Sequence, residues 1–318
     1  MKKISMPSRR AILGAAAGLS VALAVTACGG GDPLGTNSSP AAGGSGSGSG
    51  SVVVGSANFP ENAILAEIYA GALNAAGISA STKLNIGARE VYLKALEDGS
   101  IDVVPEYTGN LLGYLDASNT IVDGPGILAA LPAKMPAGLS VLDAAAAEDK
   151  DAIVVTPEIA AKYKLTSIAD LAPVCDELTL AAPSEFQTRP YGLPGLKKLY
   201  DCVPKDFKAF SASSEALNLK ALLNNEVQVA DIFTTSPEIT ANKLVVLEDP
   251  KGLIGAQQVL PIIKTDKLNE AGTTALNNVS KQLTTDDLIA LRTQVEGDQK
   301  MDPKAAAAAW LKDKGITK

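Results

Sequence analysis

The chain has 318 residues, which is more than a typical single domain of roughly 100 to 200 residues and fits two domains. It contains no histidine, which excludes Ser-His-Asp and Cys-His nucleophile arrangements and nearly all zinc sites. Its 28 Lys and Arg residues against 35 Asp and Glu residues give a net charge of −7, so nucleic acid is not an expected partner. The composition therefore favours binding over catalysis, and we expect no metal or other cofactor.

The N-terminus has the pattern of an export signal. Four basic residues lie within the first ten positions, and an apolar stretch follows them over 11–27. This stretch ends in VTAC, which resembles a lipobox whose cysteine is Cys28. We expect residues 1–27 to be removed and Cys28 to carry the lipid that anchors the protein to the outer face of the bacterial cytoplasmic membrane. An uncleaved helical anchor is the alternative, and residues 8–13 leave both Sec and twin-arginine export open.

A Gly/Ser-rich tether is predicted over 28–51. Nine of the 28 glycines of the chain lie in this segment, which has no apolar periodicity. A flexible coil of about 23 residues has a root-mean-square reach of roughly 25 Å. Because the signal holds four basic residues and no acidic one, the mature chain would carry 28 − 4 = 24 basic and 35 acidic residues, a net charge of −11.

Short β-branched runs alternate with helical patterns in the rest of the chain. This alternation is typical of an α/β fold with mostly parallel sheets. The clearest predicted strands are 52–55, 82–86, 101–104, 152–156, 178–182, 228–233, 244–247 and 259–263. The first helix is predicted over 60–76, with Pro60 at its first position, and the last helix over 302–315.

Two stretches between predicted strands could carry the chain from one lobe to another, namely 142–151 and 248–258. In that interpretation, residues 52–148 and 258–318 form the first lobe and residues 149–257 form the second. The alternative is that both stretches are surface loops of one large α/β domain.

Two cysteines remain in the predicted mature domain, Cys175 and Cys202, and both fall in the second lobe. An even number of cysteines in an exported protein favours a disulfide. Closing a loop of about 27 residues would stabilise the fold by about 3.5 kcal/mol in the chain-entropy model.

Five short segments resemble a known family. They are VGSANFPEN at 54–62, GARE at 87–90, PEYTG at 105–109, SEFQTR at 184–189 and VADIFTT at 229–235. These segments are similar to those of the substrate-binding lipoproteins of osmoprotectant ABC importers, the OpuAC- and ProX-like binders of glycine betaine, choline and carnitine. The resemblance covers most of the chain from residue 52 to residue 315. It implies the two-lobe fold of type II periplasmic binding proteins, in which two sheets flanked by helices are joined by two hinge crossings.

The resemblance also implies which residues contact the ligand. The candidates are Asn58, Asn62, Tyr107, Asn110, Asp151, Arg189, Phe233 and Gln257. Tyr107 would place its ring against a quaternary ammonium group, and Arg189 would bind a carboxylate tail. Helix capping is the alternative role for the two asparagines of the first segment.

The chain departs from the family pattern at aromatic positions. Phe233 replaces a tyrosine, and Asp151 and Gln257 stand where relatives carry aromatic residues. Losing about two aromatic faces would weaken the binding of a betaine-like cation by about 1 to 4 kcal/mol. We therefore expect glycine betaine to bind weakly or not at all. Asp151 could serve as a counter-ion for a choline-like cation, or the site could suit a polyol, a sugar or a polyphenol.

The predicted function is the capture of a small solute between two lobes and its delivery to an ABC permease. ATP hydrolysis would belong to separate subunits, because the chain has no G-x-x-x-x-G-K-[ST] loop. We expect a monomer without enzymatic activity. Glu61, Asp102 and Glu106 could suggest a carboxylate pair for acid/base chemistry, but a glycosidase pair would also need a separation of about 5 to 10 Å. A lipid-anchored surface enzyme and an adhesion lipoprotein are the alternatives from other classes.

Overall fold

The structure is a computed structural model in which residues 51–211 and 215–318 are described. The predicted signal peptide over 1–27, the lipidated Cys28 and the tether up to residue 50 lie outside the described residues and stay predictions. None of the described helices is both long and apolar enough to cross a membrane.

Ten strands in the described part of the chain form two five-stranded sheets. The strands are β1 (Val52–Gly55), β2 (Ala80–Lys83), β3 (Val103–Tyr107), β4 (Leu139–Val141), β5 (Asp151–Val155), β6 (Thr179–Pro183), β7 (Asp206–Phe210), β8 (Val229–Phe233), β9 (Val245–Val246) and β10 (Val259–Lys264). The first sheet has the order β2-β1-β3-β10-β4, and the second has the order β7-β6-β8-β5-β9. We call the parts built on these sheets the first and second lobes.

Helices connect the strands and flank both sheets. The α-helices are α1 (Pro60–Ala75), α2 (Arg89–Asp98), α3 (Thr108–Leu115), α4 (Gly124–Lys134), α5 (Pro157–Tyr163), α6 (Leu193–Tyr200), α7 (Glu215–Leu223), α8 (Pro237–Ala241), α9 (Glu270–Gln282), α10 (Thr285–Glu296) and α11 (Pro303–Asp313). Two 3₁₀ segments lie at Ile168–Glu177 and Ser184–Gln187. The first and last helices begin and end within two residues of their predicted positions.

Both sheets are mixed, which differs from the mostly parallel sheets that the alternation predicts. In each sheet two strand pairs are parallel and two are antiparallel. The antiparallel pairs all involve β5 or β10, the strand by which the chain enters a sheet after leaving the other one. A helical crossover within one sheet makes successive strands parallel, but a strand arriving from the other lobe is free of that constraint.

The strand boundaries follow the sequence pattern with small shifts. The strand predicted at 82–86 lies at Ala80–Lys83, and the strand predicted at 101–104 lies at Val103–Tyr107. The sequence analysis missed β7 because this edge strand is largely solvent-exposed and carries little apolar pattern. It is held by its parallel pairing with β6.

The core of the first lobe is built around α1, whose apolar residues recur at helical spacing and are buried. The closest helix neighbour is α11, which lies against Gly71 of α1. A Cβ atom at Gly71 would stand 2.3 Å from Cδ1 of Leu311, so any larger residue there would displace the Leu311 side chain. The last helix begins where predicted, because the Asp302 side chain accepts hydrogen bonds from the main-chain N–H groups of Lys304 and Ala305.

A disulfide lies in the core of the second lobe. Cys175 and Cys202 form the expected bond, with 5.3 Å between their Cα atoms. Both side chains are buried. The bond joins the 3₁₀ segment Ile168–Glu177 to the end of α6, and so it fixes the layer that covers one face of the second sheet.

The two connections between the sheets run side by side. The chain leaves the first sheet after β4 for β5, and it returns between β9 and β10. Glu148 of the outgoing connection and Gln258 of the returning one form an antiparallel bridge. The Asp149 main-chain N–H also donates to the Gln257 carbonyl oxygen at 3.2 Å. The two lobes are therefore connected through a narrow double strand of chain.

Candidate functional site

A cavity lies between the two sheets, and both lobes contribute to its walls. The first lobe supplies the end of β3, the turn before α1 and the first residues of α2 and α3. The second lobe supplies the ends of β5, β6 and β8 and the segment that follows β6. The cavity has a volume of about 90 Å³.

Six of the eight predicted ligand-contacting residues line this one cavity. They are Asn58, Tyr107, Asn110, Asp151, Arg189 and Phe233. These residues come from positions as far apart as 58 and 233, so the fold brings the resembling segments together. Asn62 and Gln257 do not line the cavity.

Asn62 is buried behind the cavity wall and supports its backbone. Its Oδ1 accepts a hydrogen bond from the Ala57 N–H at 2.7 Å, and its Nδ2 donates to the Pro105 carbonyl oxygen at 3.1 Å. Asn62 therefore ties the turn before α1 to β3. The prediction of direct ligand contact is corrected, because the helical turn that carries Asn62 points its amide into the lobe.

Gln257 also lies behind the wall, where it orients Asn110. Its Oε1 accepts from the Asn110 main-chain N–H at 2.9 Å, and its Nε2 donates to the Asn110 Oδ1 at 2.6 Å. Asn110 in turn donates through Nδ2 to Asp151 Oδ2 at 2.9 Å. Gln257 is thus a positioning residue rather than a contact residue, because the returning connection runs beneath α3.

The cavity is rich in aromatic side chains, which the sequence analysis did not expect. Six of the thirteen aromatic residues of the chain line it. They are Phe59, Tyr92, Tyr107, Phe186, Tyr191 and Phe233. The ring centroid of Phe59 lies 5.9 Å from that of Tyr107 and 5.5 Å from that of Phe233, so these three rings form a continuous surface.

The expectation of a depleted aromatic cage concerned the family positions that Asp151 and Gln257 occupy, and it stays a prediction. Asp151 does occupy the wall where relatives were expected to carry a ring, but other segments supply rings in its place. Phe59 and Phe186 lie inside the two quoted segments at 54–62 and 184–189 and could have been identified there. Tyr92 and Tyr191 carry no such signal, because they enter the wall only through the packing of α2 and of the segment before α6.

A satisfied ion pair forms the wall on the side of the first lobe. Arg89 donates from Nε to Glu106 Oε1 at 2.6 Å and from Nη2 to Oε2 at 3.0 Å. The Tyr92 hydroxyl and the Tyr107 main-chain N–H also donate to Glu106. Burial alone would lower the pKa of Arg89, but the Glu106 carboxylate raises it well above its ordinary value, so this arginine is cationic and its charge is neutralised.

Two carboxyl groups face each other on the wall of the second lobe. Asp151 of β5 and Asp231 of β8 are both buried, with exposed fractions of 7% and 2%. Burial, and then the neighbouring Asp151 charge, raise the pKa of Asp231 well above its ordinary value. Burial also raises the pKa of Asp151, against the lowering effect of the hydrogen bond from Asn110. Neither carboxyl oxygen of Asp231 has a hydrogen-bond partner within residues 51–211 and 215–318, so this group is buried and unsatisfied.

The hydroxyl of Tyr107 is directed away from the cavity. It donates to Glu61 Oε1 at 2.7 Å, and the Thr235 hydroxyl donates to Glu61 Oε2 at 2.6 Å. Asp149 accepts from the Thr235 main-chain N–H at 3.1 Å. Burial raises the pKa of both Glu61 and Asp149, while Arg292 lowers it. This network fixes the Tyr107 ring, which lines the cavity.

Arg189, the predicted partner of a carboxylate tail, already has an anionic partner. Its Nη2 lies 2.7 Å from Glu90 Oε1, and its guanidinium stacks over the Tyr114 ring at 5.4 Å. Both partners belong to the first lobe, whereas Arg189 belongs to the second. The contact therefore bridges the lobes at the edge of the cavity.

The cavity carries more acidic than basic groups. Four carboxyl groups line it, those of Asp149, Asp151, Glu185 and Asp231. The two arginines in the wall are each paired with a glutamate. No group of three or more His, Cys, Asp or Glu residues that could hold a metal ion is present within 51–211 and 215–318. Aromatic faces beside uncompensated carboxyl groups suit an organic cation.

Comparison with known proteins agrees with the resemblance seen in the sequence. The family model OpuAC, the substrate binding domain of the ABC-type glycine betaine transport system, matches residues 50–313. The chain is 30% identical over 283 residues to the glycine betaine-binding protein YehZ of Escherichia coli K12, covering 84% of this chain and 92% of that protein. It is 24% identical over 242 residues to the carnitine transport binding protein OpuCC of Listeria monocytogenes, covering 74% and 77%.

A solved structure shares the fold. A glycine betaine/carnitine/choline ABC transporter structure superposes with a TM-score of 0.67 at 22% identity, covering 83% of this chain and 99% of the other. The two mixed sheets flanked by helices therefore match the two-lobe fold of periplasmic binding proteins, as the sequence analysis expected.

Proposed function

Because the chain belongs to the OpuAC family of substrate-binding domains of ABC transporters, we propose that its cavity captures a quaternary ammonium solute for import. The observation that carries this proposal is the wall of six aromatic residues beside four carboxyl groups, none of which forms an ion pair within the described residues. The protein named YehZ binds glycine betaine and the protein named OpuCC binds carnitine, and both ligands carry a quaternary ammonium group.

The physical reason lies in the chemistry of this group. A quaternary ammonium ion cannot donate a hydrogen bond, so a protein recognises it through aromatic faces and negative charge. Each well-placed aromatic face contributes roughly 0.5 to 2 kcal/mol. The surface formed by Phe59, Tyr107 and Phe233 offers several such faces at once. The expectation of weak glycine betaine binding rested on the non-aromatic residues Asp151 and Gln257, and it stays a prediction.

Lobe closure would commit the solute to delivery. We assign residues 52–148 with 258–318 to the first lobe and residues 149–257 to the second, with the paired connections at Glu148 and Gln258 as the hinge. Closed-state contacts would include the Arg189–Glu90 pair, which bridges the lobes. A ligand that binds the closed form more tightly shifts the open–closed equilibrium towards it, and the permease reads that form.

The remaining parts of the proposal concern the position of the protein in the cell. The lipid on Cys28 would hold the domain at the outer face of the cytoplasmic membrane as a monomer, with the segment 28–51 as its tether. Supporting these points are the VTAC motif and the glycine content of the segment. ATP hydrolysis would belong to partner subunits, and the protein itself would have no enzymatic activity.

Thermal unfolding of the purified full chain tests the proposed ligand class. Choline, glycine betaine, carnitine and tetramethylammonium are each added in excess, since a ligand at 100 times its Kd stabilises the folded state by about 2.7 kcal/mol. At least one should raise the Tm, and Phe233→Leu should weaken the affinity for that compound about tenfold, which lowers the stabilisation to about 1.4 kcal/mol. Tyr163→Leu, which removes an aromatic ring remote from the cavity, is the control. If none of the four compounds changes the Tm, the proposed ligand class is wrong.

A further inference from the structure

We propose that Arg292, a buried arginine outside the cavity, is a positioning residue that holds the rings of Tyr107 and Phe233, one from each lobe, in place across the cavity. This inference rests on the proposed function and deepens it, because it names a residue that sets the affinity without contacting the solute. It predicts that loss of Arg292 weakens the binding of every solute of the cavity by a similar factor.

Arg292 joins the two lobes. It lies on α10, which packs against α1 and α11 of the first lobe. Its Nη2 donates to Glu215 Oε1 at 2.9 Å, and its Nη1 donates to Thr235 Oγ1 at 3.1 Å. Glu215 begins α7, which packs against β6 and β8 of the second sheet, and Thr235 follows β8. One guanidinium therefore holds two elements of the second lobe against a helix of the first.

The contact with Glu215 is a largely buried ion pair. The side chain of Arg292 is 2% exposed, and that of Glu215 is 12% exposed. The Nε and Nη2 atoms of Arg292 also donate to Glu296 at 2.7 and 2.9 Å, which fixes the guanidinium plane from within α10. Burial alone would lower the pKa of Arg292, but the Glu215 charge and the hydrogen bonds to Glu296 raise it well above its ordinary value. The arginine is therefore cationic.

Hydrogen bonds continue from Arg292 to a ring of the first lobe. The Thr235 hydroxyl, which accepts from Arg292, donates to Glu61 Oε2 at 2.6 Å. The other oxygen of Glu61, Oε1, accepts from the Tyr107 hydroxyl at 2.7 Å. The position of the Tyr107 ring therefore depends on a chain of hydrogen bonds that begins at Arg292.

A second set of contacts leads to a ring of the second lobe. Glu215 Oε2 accepts a long hydrogen bond from the Phe233 main-chain N–H at 3.5 Å. The Phe233 ring lies 5.5 Å from the Phe59 ring, which lies 5.9 Å from the Tyr107 ring. Phe59 and Phe233 line the cavity, and they also line a second space bordered by Arg292 and Glu215. These two rings therefore lie between the cavity and the ion pair, so the pair acts on the rings from behind.

Another ion pair between the lobes differs in its exposure to solvent. Arg189 of the second lobe pairs with Glu90 of the first, but the Glu90 side chain is 50% exposed. Solvent screens such a pair, and it contributes little. Loss of one partner of the Arg292–Glu215 pair instead leaves the other charge in a buried place without its counter-ion. The Arg292 contact should therefore be the stronger of these two bridges.

Isothermal titration calorimetry with the full chain tests the effect on affinity. Choline, glycine betaine, carnitine and tetramethylammonium are titrated into the unchanged protein, into Arg292→Met and into Glu215→Gln. We expect Arg292→Met to weaken each compound that binds by about tenfold or more, and Glu215→Gln, which keeps the side-chain shape, by about threefold to tenfold. The order of affinities among the compounds should stay the same, because neither side chain contacts the solute.

The matched control is Lys314→Met. This substitution breaks an ion pair with Asp287 that, like the Arg292 contact, involves α10, but that lies within the first lobe. It should leave each affinity within about twofold of the unchanged protein.

A double variant separates positioning from a general effect on the fold. Because Arg292 acts through the rings in this proposal, the effect of Arg292→Met on affinity should shrink to within about threefold when Phe233→Leu is already present. Equal factors in the two backgrounds would mean that Arg292 does not act through Phe233, which would contradict the proposal.

Pulsed electron paramagnetic resonance tests the bridge between the lobes without added solute. Spin labels are attached at two exposed positions, Ser81→Cys in the first lobe and Glu158→Cys in the second. The full chain also carries Cys28→Ser, so that no other free thiol remains beside the disulfide. The distance distribution should be broader in Arg292→Met than in the unchanged protein, and the control Lys314→Met should leave it unchanged.

The outcomes distinguish the inference from the proposed function. Unchanged affinities and distances in Arg292→Met and Glu215→Gln would overturn the inference and leave the proposed function intact. A changed order of affinities would also overturn it, because it would place the ion pair against the solute. If Arg292→Met does not fold, Glu215→Gln decides, since it leaves Arg292 paired with Glu296. If no compound binds to the unchanged protein, the proposed function is overturned, and the distances alone decide whether Arg292 holds the lobes together.

Discussion

Two buried carboxylate sites on facing walls of one cavity differ in how their hydrogen bonds are met. Glu106, which is 0% exposed, accepts from Arg89, from Tyr92 and from a main-chain N–H. Asp231, which is 2% exposed, accepts from no donor in the described part of the chain and has only the neighbouring Asp151. The first site is complete without a ligand, whereas the second is complete only with a proton or a donor from outside.

The difference shows how a fold separates stability from recognition. A buried charge that the chain itself pairs acts as structure, because the partner is always present. A buried acid that the chain leaves without a donor is a cost to the empty protein that a matching solute removes. The aromatic faces between the two walls would then hold the onium group of that solute.

Breaking the Arg89–Glu106 ion pair should have the largest effect on stability. Arg89→Met leaves the Glu106 carboxylate buried without its cation and should lower the free energy of unfolding by about 3 to 5 kcal/mol. Urea denaturation measures this change. Lys134→Met, which breaks the exposed pair with Asp116, is the matched control and should change stability by less than about 1 kcal/mol. Similar losses in the two variants would mean that the Arg89–Glu106 pair is not structural.

The opposite change in the free energy of unfolding is expected at Asp231, the carboxyl group without a donor. Asp231→Asn should raise the free energy of unfolding of the empty protein at pH 7 by about 1 to 3 kcal/mol, because it removes a buried acid that lacks a donor. Glu106→Gln should lower it, since it unpairs Arg89. Urea denaturation of both variants without ligand measures whether each substitution raises or lowers the free energy of unfolding. Destabilisation by Asp231→Asn would contradict the comparison.

The pH dependence of stability should reflect the buried carboxyl groups in and behind the cavity wall. Glu61, Asp149, Asp151 and Asp231 have raised pKa values, with burial as the largest cause. The folded state then binds more protons than the unfolded state above pH 4, so stability should rise as the pH is lowered from 7 to about 5. Thermal unfolding between pH 7 and pH 5 measures this change in stability. The rise in Tm on lowering the pH should be smaller in Asp231→Asn.

Below about pH 4, stability should instead fall as the pH is lowered further. Hydrogen bonds from Ser118 lower the pKa of Asp116 to about 2, and main-chain N–H donors at Thr166 and Ser167 lower that of Asp170 to about 2. Groups with a lowered pKa stabilise the fold above their ordinary pKa, and this contribution is lost as the pH falls towards 2. A Tm that falls steadily from pH 7 to pH 5 would contradict the raised values in the cavity.

The smallest effect is expected for ligand affinity when Gln257, which lies behind the cavity wall, is changed. Gln257→Met removes the amide that holds Asn110, and so it should reduce the affinity for a quaternary ammonium solute by about threefold to tenfold. Asn110→Ala should have a similar effect, and the double variant should add little because both residues act through one contact with Asp151. Calorimetry of the three variants tests this order. Additive losses in the double variant would contradict a shared contact.

Much of this protein is determined by local sequence patterns. The strand β1 lies where its β-branched run predicts it, and α1 follows its apolar spacing from Pro60. The segments 105–109 and 229–235 placed Tyr107 and Phe233 in one cavity. Such features depend on a few neighbouring residues, so periodicity and motif similarity are sufficient to find them.

Tertiary structure decided which side chains line the cavity. Asn62 and Gln257 turned out to lie behind the wall, while Tyr92, Tyr191 and Asp231 joined it. The sheets became mixed because β5 and β10 arrive from the other lobe. In each case the outcome depends on packing between segments that are far apart in sequence. A local sequence pattern does not predict which face of a turn or strand this packing covers.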